Sequence, residues 1–209
     1  MNNDCTVFVV DDDAAARESV VALVGLKGLQ ARGFSSAEDF LAQYDPTQTG
    51  CVVADVRMAG ISGLELLQRL KSHGGSLPVV LITGYADVPM AVRAMQEGAV
   101  TFLEKPCGEQ ELWQAITQAL EIEHTHHIQR IQRAETEARL ATLTEDEREV
   151  FRRLLAGHAN KRIASDLDIG LRTVELRRSN IMRKMEATSL PDLVRMAILI
   201  GMLRPEIPT

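Results

Sequence analysis

The 209-residue chain has only three cysteines, Cys5, Cys51 and Cys107. They are too few and too scattered for a disulfide framework or a thiolate zinc site, and they read as small packing residues. A reducing cytoplasm is the expected compartment. The chain also lacks any apolar run near the roughly 18 residues that a membrane span needs. Its first residues, Met1-Asn2-Asn3-Asp4, carry no basic stretch and no apolar segment of a secretory leader. No membrane partner is expected. Positive charge is short as well: 23 Lys and Arg stand against 29 Asp and Glu, a net charge of −6. Taken alone, that argues against nucleic acid as a partner. Global disorder is excluded, because 45% of the residues are hydrophobic and only 25% charged. At about 150 residues per domain, the length allows one or two domains.

The net charge hides an asymmetry. Residues 1–121 hold 8 basic and 16 acidic residues, a net of −8. Residues 122–142 are neutral, and residues 143–209 carry a net of +2. Within that last segment, Leu171 to Met185 holds five basic residues and one acid. An acidic front and a locally basic back suggest two separate tasks.

Residues 1–121 alternate short apolar runs with amphipathic stretches. Thr6–Val10, Leu29–Phe34, Cys51–Ala54, Val79–Ile82 and Thr101–Glu104 read as strands. Helices are expected over Ala14–Leu26, Ser36–Tyr44, Ser62–Ser72 and Pro89–Gly98, and from Glu109 onward. Ser36 and Asp39 form a capping-box-like pair, with Asp in place of Glu. Repeated strand-then-helix units imply an α/β fold, a doubly wound five-stranded parallel sheet.

In such a sheet the working site lies at the carboxyl ends of the strands. Asp11 and Asp12 follow the first strand, Asp55 the third, Thr83 the fourth and Lys105 the fifth. Clustered carboxylates repel one another unless a hard cation binds, and Mg²⁺ prefers such oxygen ligands. A carboxylate beside Mg²⁺ can attack a phosphoryl group and form an aspartyl phosphate. Lys105 would supply a point cation for the transferred oxygens, and the Thr83 hydroxyl one more hydrogen bond.

These residues resemble the receiver domain of two-component response regulators. The resemblance rests on Asp11-Asp12, Asp55-Val56-Arg57-Met58, Gly60-x-x-Gly63, Thr83-Gly84 and Lys105-Pro106. It implies that Asp55 accepts a phosphoryl group from a sensor histidine kinase. It implies Mg²⁺ held by Asp12, Asp55 and the backbone carbonyl of Arg57, with Asp11 acting mostly through water. Thr83 and Phe102 match the family's switch pair. Two departures stand out: Ala59 replaces the usual proline, which is expected to loosen the loop after Asp55, and Cys107 replaces an aromatic. Arg57 and Tyr85 occupy positions that overhang the site, as gates for water or as plain solvated side chains.

Residues 110–142 contain no Gly or Pro, so the helix from Glu109 is expected to run on as a linker. A seam through Leu120, His124, His127, Ile131, Ala134, Ala138 and Ala141 has the spacing of a coiled coil but a poor core. A lone signalling helix is the favoured alternative. His124 and His127 share a face, although solvated histidines are a simpler account than a metal site.

Beyond the linker, Thr144 and Glu147 form a capping box. Helices are expected over 145–155, 160–167 and 171–185, and from Ser189 to Ile200, with a turn at Asp168-Ile169-Gly170. A short helix, a tight turn and a basic helix make a helix-turn-helix pattern. The segment resembles the LuxR/NarL-type DNA-binding domain through Leu143-Thr144-x-x-Glu147-x-x-Val150, Asn160-Lys161-x-Ile163-Ala164, Arg172-Thr173-Val174-Glu175 and Asn180-Ile181-x-x-Lys184-Met185. Together with the front segment, the chain is similar to the FixJ subfamily.

That resemblance implies a dimer on double-stranded promoter DNA, with Arg172 to Met185 in the major groove. By position, Glu175, Leu176 and Ser179 face base edges. Lys161, Thr173, Arg177, Arg178 and Lys184 suit phosphates. Gly170-Leu171 replaces a small residue plus proline, and Arg177 stands where histidine is frequent.

The expected organisation is a receiver (1–121), a helical linker (122–142) and an all-α four-helix DNA-binding domain (143–209). Phosphorylation of Asp55 is expected to drive homodimerisation through Val88, Met90 and Val92, and RNA polymerase is a further expected partner. A phosphohydrolase of the haloacid-dehalogenase type would need a second Asp two residues after the nucleophile, where Arg57 stands. A phosphate-independent dimerisation scaffold would not need the full acid, Thr and Lys set.

Overall fold

A computed structural model describes residues 5–72, 77–85 and 87–203. The leader reading of Met1 to Asp4 lies outside those residues. The chain divides into two compact units, Met1–His127 and Ile128–Thr209.

The first unit alternates β1 (Thr6–Val10), α1 (Ala14–Leu26), β2 (Gln30–Phe34), α2 (Ala37–Gln43), β3 (Gly50–Asp55), α3 (Gly63–Ser72), β4 (Val79–Thr83), α4 (Val88–Gln96) and β5 (Thr101–Glu104). Next comes α5 (Glu109–Ala141), a single helix of 33 residues within which the division between units falls. The strands pair in parallel in the order β2-β1-β3-β4-β5. The strand order reverses beside β1, so the loops after β1 and β3 open a crevice at the carboxyl edge.

Strand periodicity sorts the core into two layers. Phe8, Val10, Val52, Ala54, Val79 and Leu81 point to one face, where α2, α3 and α4 pack through Phe40, Leu66, Leu67, Leu70 and Ala94. Val7, Val9, Cys51, Val53, Val80 and Ile82 point to the other, against Leu23 and Val24 of α1 and Leu112, Ala115, Ile116 and Ala119 of α5. Side chains of period two cover both faces, which is why the strands read as unbroken apolar runs. Each fully buried Phe or Leu contributes about 2 kcal/mol.

Helix starts follow local chemistry. Asp13 accepts from Ala15 and Ala16 to cap α1, and Asp87 accepts from Met90 to cap α4. Each such cap contributes about 1 kcal/mol. Ser36 caps α2, but only half of the expected box forms. The Asp39 N–H donates to Ser36 Oγ at 3.1 Å, while the shorter Asp39 carboxylate accepts from Ser35 Oγ instead.

The second unit holds α6 (Glu145–Leu155), α7 (Asn160–Asp166), α8 (Leu171–Met185) and α9 (Leu190–Leu199). Its core joins Leu143, Val150, Phe151, Leu154, Ile163, Val174, Ile181, Met185, Leu193 and Ala197. The Thr144–Glu147 capping box is complete. Asp168 takes a left-handed conformation (φ 51°) in the turn before α8, which Asp tolerates better than most residues. No helix among the described residues is long and apolar enough to cross a membrane.

Candidate functional site

The carboxyl ends of β1, β3, β4 and β5 bring Asp11, Asp12, Asp55, Thr83 and Lys105 together. Asp11 is buried, and its Oδ2 lies 2.7 Å from Lys105 Nζ. Its Oδ1 accepts from the Asp13 N–H at 3.0 Å, and its carbonyl accepts from Arg17 Nη1 at 2.6 Å. Lys105 Nζ stands 3.7 Å from Asp55 Oδ1. Asp55 is 9% exposed, and its Oδ1 is buried with no hydrogen-bond partner. Burial pushes the Asp55 carboxyl above the usual range; Lys105 pulls it down, and Asp11 and Asp12 push it up. Burial also acts to lower the Lys105 ammonium, but Asp11 and Asp55 outweigh it and the net shift is upward.

One oxygen from each of Asp11, Asp12 and Asp55 lies within 4.8 Å of the others. Among the described residues this is the one such group, and His124, His126 and His127 do not form another. An all-oxygen set of three carboxylates, one with an orphaned buried oxygen, fits a hard divalent cation. Cys51 is fully buried, and burial pushes its thiol up, away from reactivity.

The loop after Asp55 differs from expectation. Ala59 retains an N–H that proline would lack, and it donates to Asp12 Oδ2 at 3.2 Å. Glu38 of α2 adds a second tie by accepting from Ile61 N–H at 2.9 Å. Two backbone N–H groups of the loop are thus engaged by carboxylates from other elements, one of them a donor that proline would lack. Gly60 (φ 78°) turns the chain there, and Gly63 passes so close to β3 that an added Cβ would sit 2.3 Å from the Asp55 carbonyl oxygen. That carboxyl-end packing was not legible from spacing.

Thr83 is fully buried, and its Oγ1 accepts from the Tyr85 N–H at 3.3 Å. Phe102 is half-buried against the core layer under α4. The Arg57 guanidinium sits over the Tyr85 ring, 4.9 Å from its centroid, and both residues remain exposed. On α4, Val88 is 77% exposed, and Val92 and Met95 are also exposed. Met90, expected beside them, packs in part against the core instead, because its position falls on the inward face with Ala94.

In the second unit, α8 buries Val174, Ile181 and Met185 and exposes Arg172, Thr173, Glu175, Leu176, Ser179 and Arg183. Leu176, a large apolar residue, is 62% exposed. Lys161 is exposed on α7. Three of the other expected phosphate contacts, Arg178, Arg177 and Lys184, already have partners within the unit. Arg178 Nη1 donates to Asn160 Oδ1 at 3.2 Å, and Arg177 pairs with Asp146. Lys184 Nζ lies 2.6 Å from Glu147 Oε2 and donates to the Thr142 carbonyl at 3.0 Å. Arg172 and Arg183, not singled out from the sequence, are exposed on the same helix. Their 4-3-4 spacing with Leu176 and Ser179 puts them on one exposed face, opposite the apolar one.

Comparison with known proteins places each half. Residues 7–117 match the response regulator receiver domain, and residues 141–197 match the bacterial regulatory proteins of the luxR family. The transcriptional regulatory protein FixJ of Azorhizobium caulinodans is 46% identical over 201 residues, 96% of this chain and 95% of that protein. The response regulator protein TodT of Pseudomonas putida is 40% identical, over 90% of this chain and 83% of its own. Among solved structures, the response regulator StyR superposes with a TM-score of 0.81 at 40% identity, covering 93% of this chain and 98% of that one. Full-length FixJ from B. japonicum gives 0.58 at 41%, covering 97% and 100%.

Proposed function

The chain belongs to the two-component response regulators that join a receiver domain to a LuxR-type DNA-binding domain, and from that membership we propose how its residues carry a signal to DNA. As a transcriptional response regulator, it has a histidine kinase as its upstream partner and DNA as its downstream one. Residues 1–121 are the receiver, 122–142 a helical linker and 143–209 the DNA-binding domain.

Asp55 is the phosphoacceptor. The observation that carries this is its orphaned buried Oδ1, 3.7 Å from Lys105 and inside the three-carboxylate group. That oxygen attacks the phosphorus of a kinase phosphohistidine. A P–O bond forms, the P–N bond breaks, and the electron pair returns to the imidazole. Lys105 neutralises the transferred oxygens, and Thr83 gives up its local contact with Tyr85 to hydrogen-bond one of them. Asp11, Asp12, Asp55 and the Arg57 carbonyl would hold Mg²⁺. Bound there, Mg²⁺ would neutralise charge on the phosphoryl group.

Phe102 fills the space that Thr83 leaves, and the change reaches α4. Two copies then pair through the exposed Val88 and Val92, with Met95 alongside and Met90 as inward support. Pairing presents two α8 helices one DNA turn apart. Glu175, Leu176 and Ser179 meet base edges; Lys161, Thr173, Arg177, Arg178 and the exposed Arg172 and Arg183 meet phosphates. RNA polymerase is the final partner.

The test is a small-molecule phosphodonor with Mg²⁺, read by phosphate-affinity electrophoresis and gel filtration. The wild-type chain should shift in both. An Asp55→Asn chain that shifts equally sinks the mechanism.

A further inference from the structure

Two of the five cations on α8 are ion-paired to the first turn of α6. Glu145, Asp146 and Glu147 stand in series in that turn, where the helix dipole favours carboxylates. Glu145 pairs with Arg152 at 3.1 Å, within α6 itself. Glu147 completes the capping box and holds Lys184. Asp146 has no cap to complete. Its Oδ2 pairs with Arg177 Nη2, 31 residues away and in the middle of α8. The Asp146 side chain is 68% exposed and that of Arg177 22%, so the carboxylate lies at the surface and the guanidinium is partly covered.

We infer that Asp146 is a positioning residue for DNA binding: it occupies Arg177 as an internal substitute for a backbone phosphate until DNA displaces it. This rests on α8 being the DNA-binding helix. A guanidinium engages a carboxylate and a phosphate with the same fork of donors. When DNA arrives, Arg177 exchanges one anion for another, and no net ion pair is gained. That exchange weakens binding that depends on phosphates alone. Contacts from Glu175, Leu176 and Ser179 to base edges are untouched. The pair therefore lowers affinity for DNA of any sequence by a similar factor and leaves the specificity ratio to the base-edge contacts.

The experiment uses the full chain and a 30-base-pair duplex of random sequence, titrated by fluorescence anisotropy across a salt series. Asp146→Asn keeps shape and removes charge. It should bind roughly three- to tenfold tighter at low salt, with a salt slope steeper by about one, as expected for one further phosphate contact. Asp146→Ser should do the same, which guards against a folding effect of either variant. In an Arg177→Gln background, Asp146→Asn should change affinity less than about twofold. The inference is overturned if neither Asp146 variant tightens binding, or if the gain persists without Arg177, since the effect is then a general change of charge. Arg178→Ala and Arg183→Ala separate the two levels. If they weaken binding while the Asp146 variants do nothing, this inference alone fails. If they too leave binding unchanged, α8 is not the DNA-binding helix and the reading beneath it fails.

Discussion

The backbone N–H of Ala59 donates to Asp12 Oδ2 at 3.2 Å, tying the loop after the phosphoacceptor strand to the acidic pair after β1. Proline at that position has no N–H to give. Ala59→Pro should free the Asp12 carboxylate and make Mg²⁺ binding severalfold tighter in titration calorimetry. Equal binding would show that the tie does not compete with the cation, and weaker binding that it assists the site.

Asp55 is a buried carboxylate with its pKa raised, first by burial and then by Asp11 and Asp12 against the pull of Lys105. A raised folded pKa means that the protonated form suits the native state better. The associated stability is present below the ordinary carboxylate pKa and is lost as pH rises through the folded value. At neutral pH without divalent cation, Asp55→Asn should therefore raise the melting temperature. The gain should shrink as pH falls into the carboxylate range. Saturating Mg²⁺ should reduce or reverse it by stabilising only the wild type. A variant that melts lower than wild type at neutral pH without metal would contradict this account.

Gly63 and Gly25 make a matched pair of substitutions. A Cβ on Gly63 would lie 2.3 Å from the Asp55 carbonyl oxygen and 3.1 Å from Leu81 Cδ2. Backbone cannot yield cheaply, so Gly63→Ala should cost about 2–3 kcal/mol in urea unfolding and slow phosphorylation. Gly25 is in helix α1 with nothing within 4 Å of the added carbon. Gly25→Ala should stabilise by up to about 1 kcal/mol. Similar effects of the two would show that the close approach at Gly63 does not matter.

Lys184 is another expected phosphate contact that the tertiary structure places in an ion pair. It pairs with Glu147, which is buried and is the acid of the Thr144 capping box. Burial acts to raise the Glu147 carboxyl, but the hydrogen bonds from Lys184 and Thr144 outweigh it and hold it below the ordinary range. Lys184→Ala should destabilise the second unit by about 2 kcal/mol while leaving the salt slope of DNA binding unchanged. Because a depressed acid pKa confers stability above the ordinary carboxylate range, the difference from wild type should fade as pH drops through the folded value. A slope shallower by about one would return Lys184 to the phosphate contacts.

Much of the molecule was determined by its sequence alone. Apolar runs ended by Asp11, Asp55, Thr83 and Lys105 imply a parallel sheet with chemistry at one edge, because strand ends there converge whatever the loops do. Capping at Thr144 and Ser189 is likewise local, requiring only a side chain and an N–H three residues on. Tertiary structure decided what depends on partners distant in the chain. Ala59 reads as a gap where proline is usual until Asp12, 47 residues earlier, is placed beside its N–H. Arg177 and Lys184 read as cations without a partner until the first turn of α6 supplies carboxylates to both. A charge in sequence has no assigned counter-ion. Only the fold brings one within a few ångströms, where the Coulomb energy decides which anion a cation keeps.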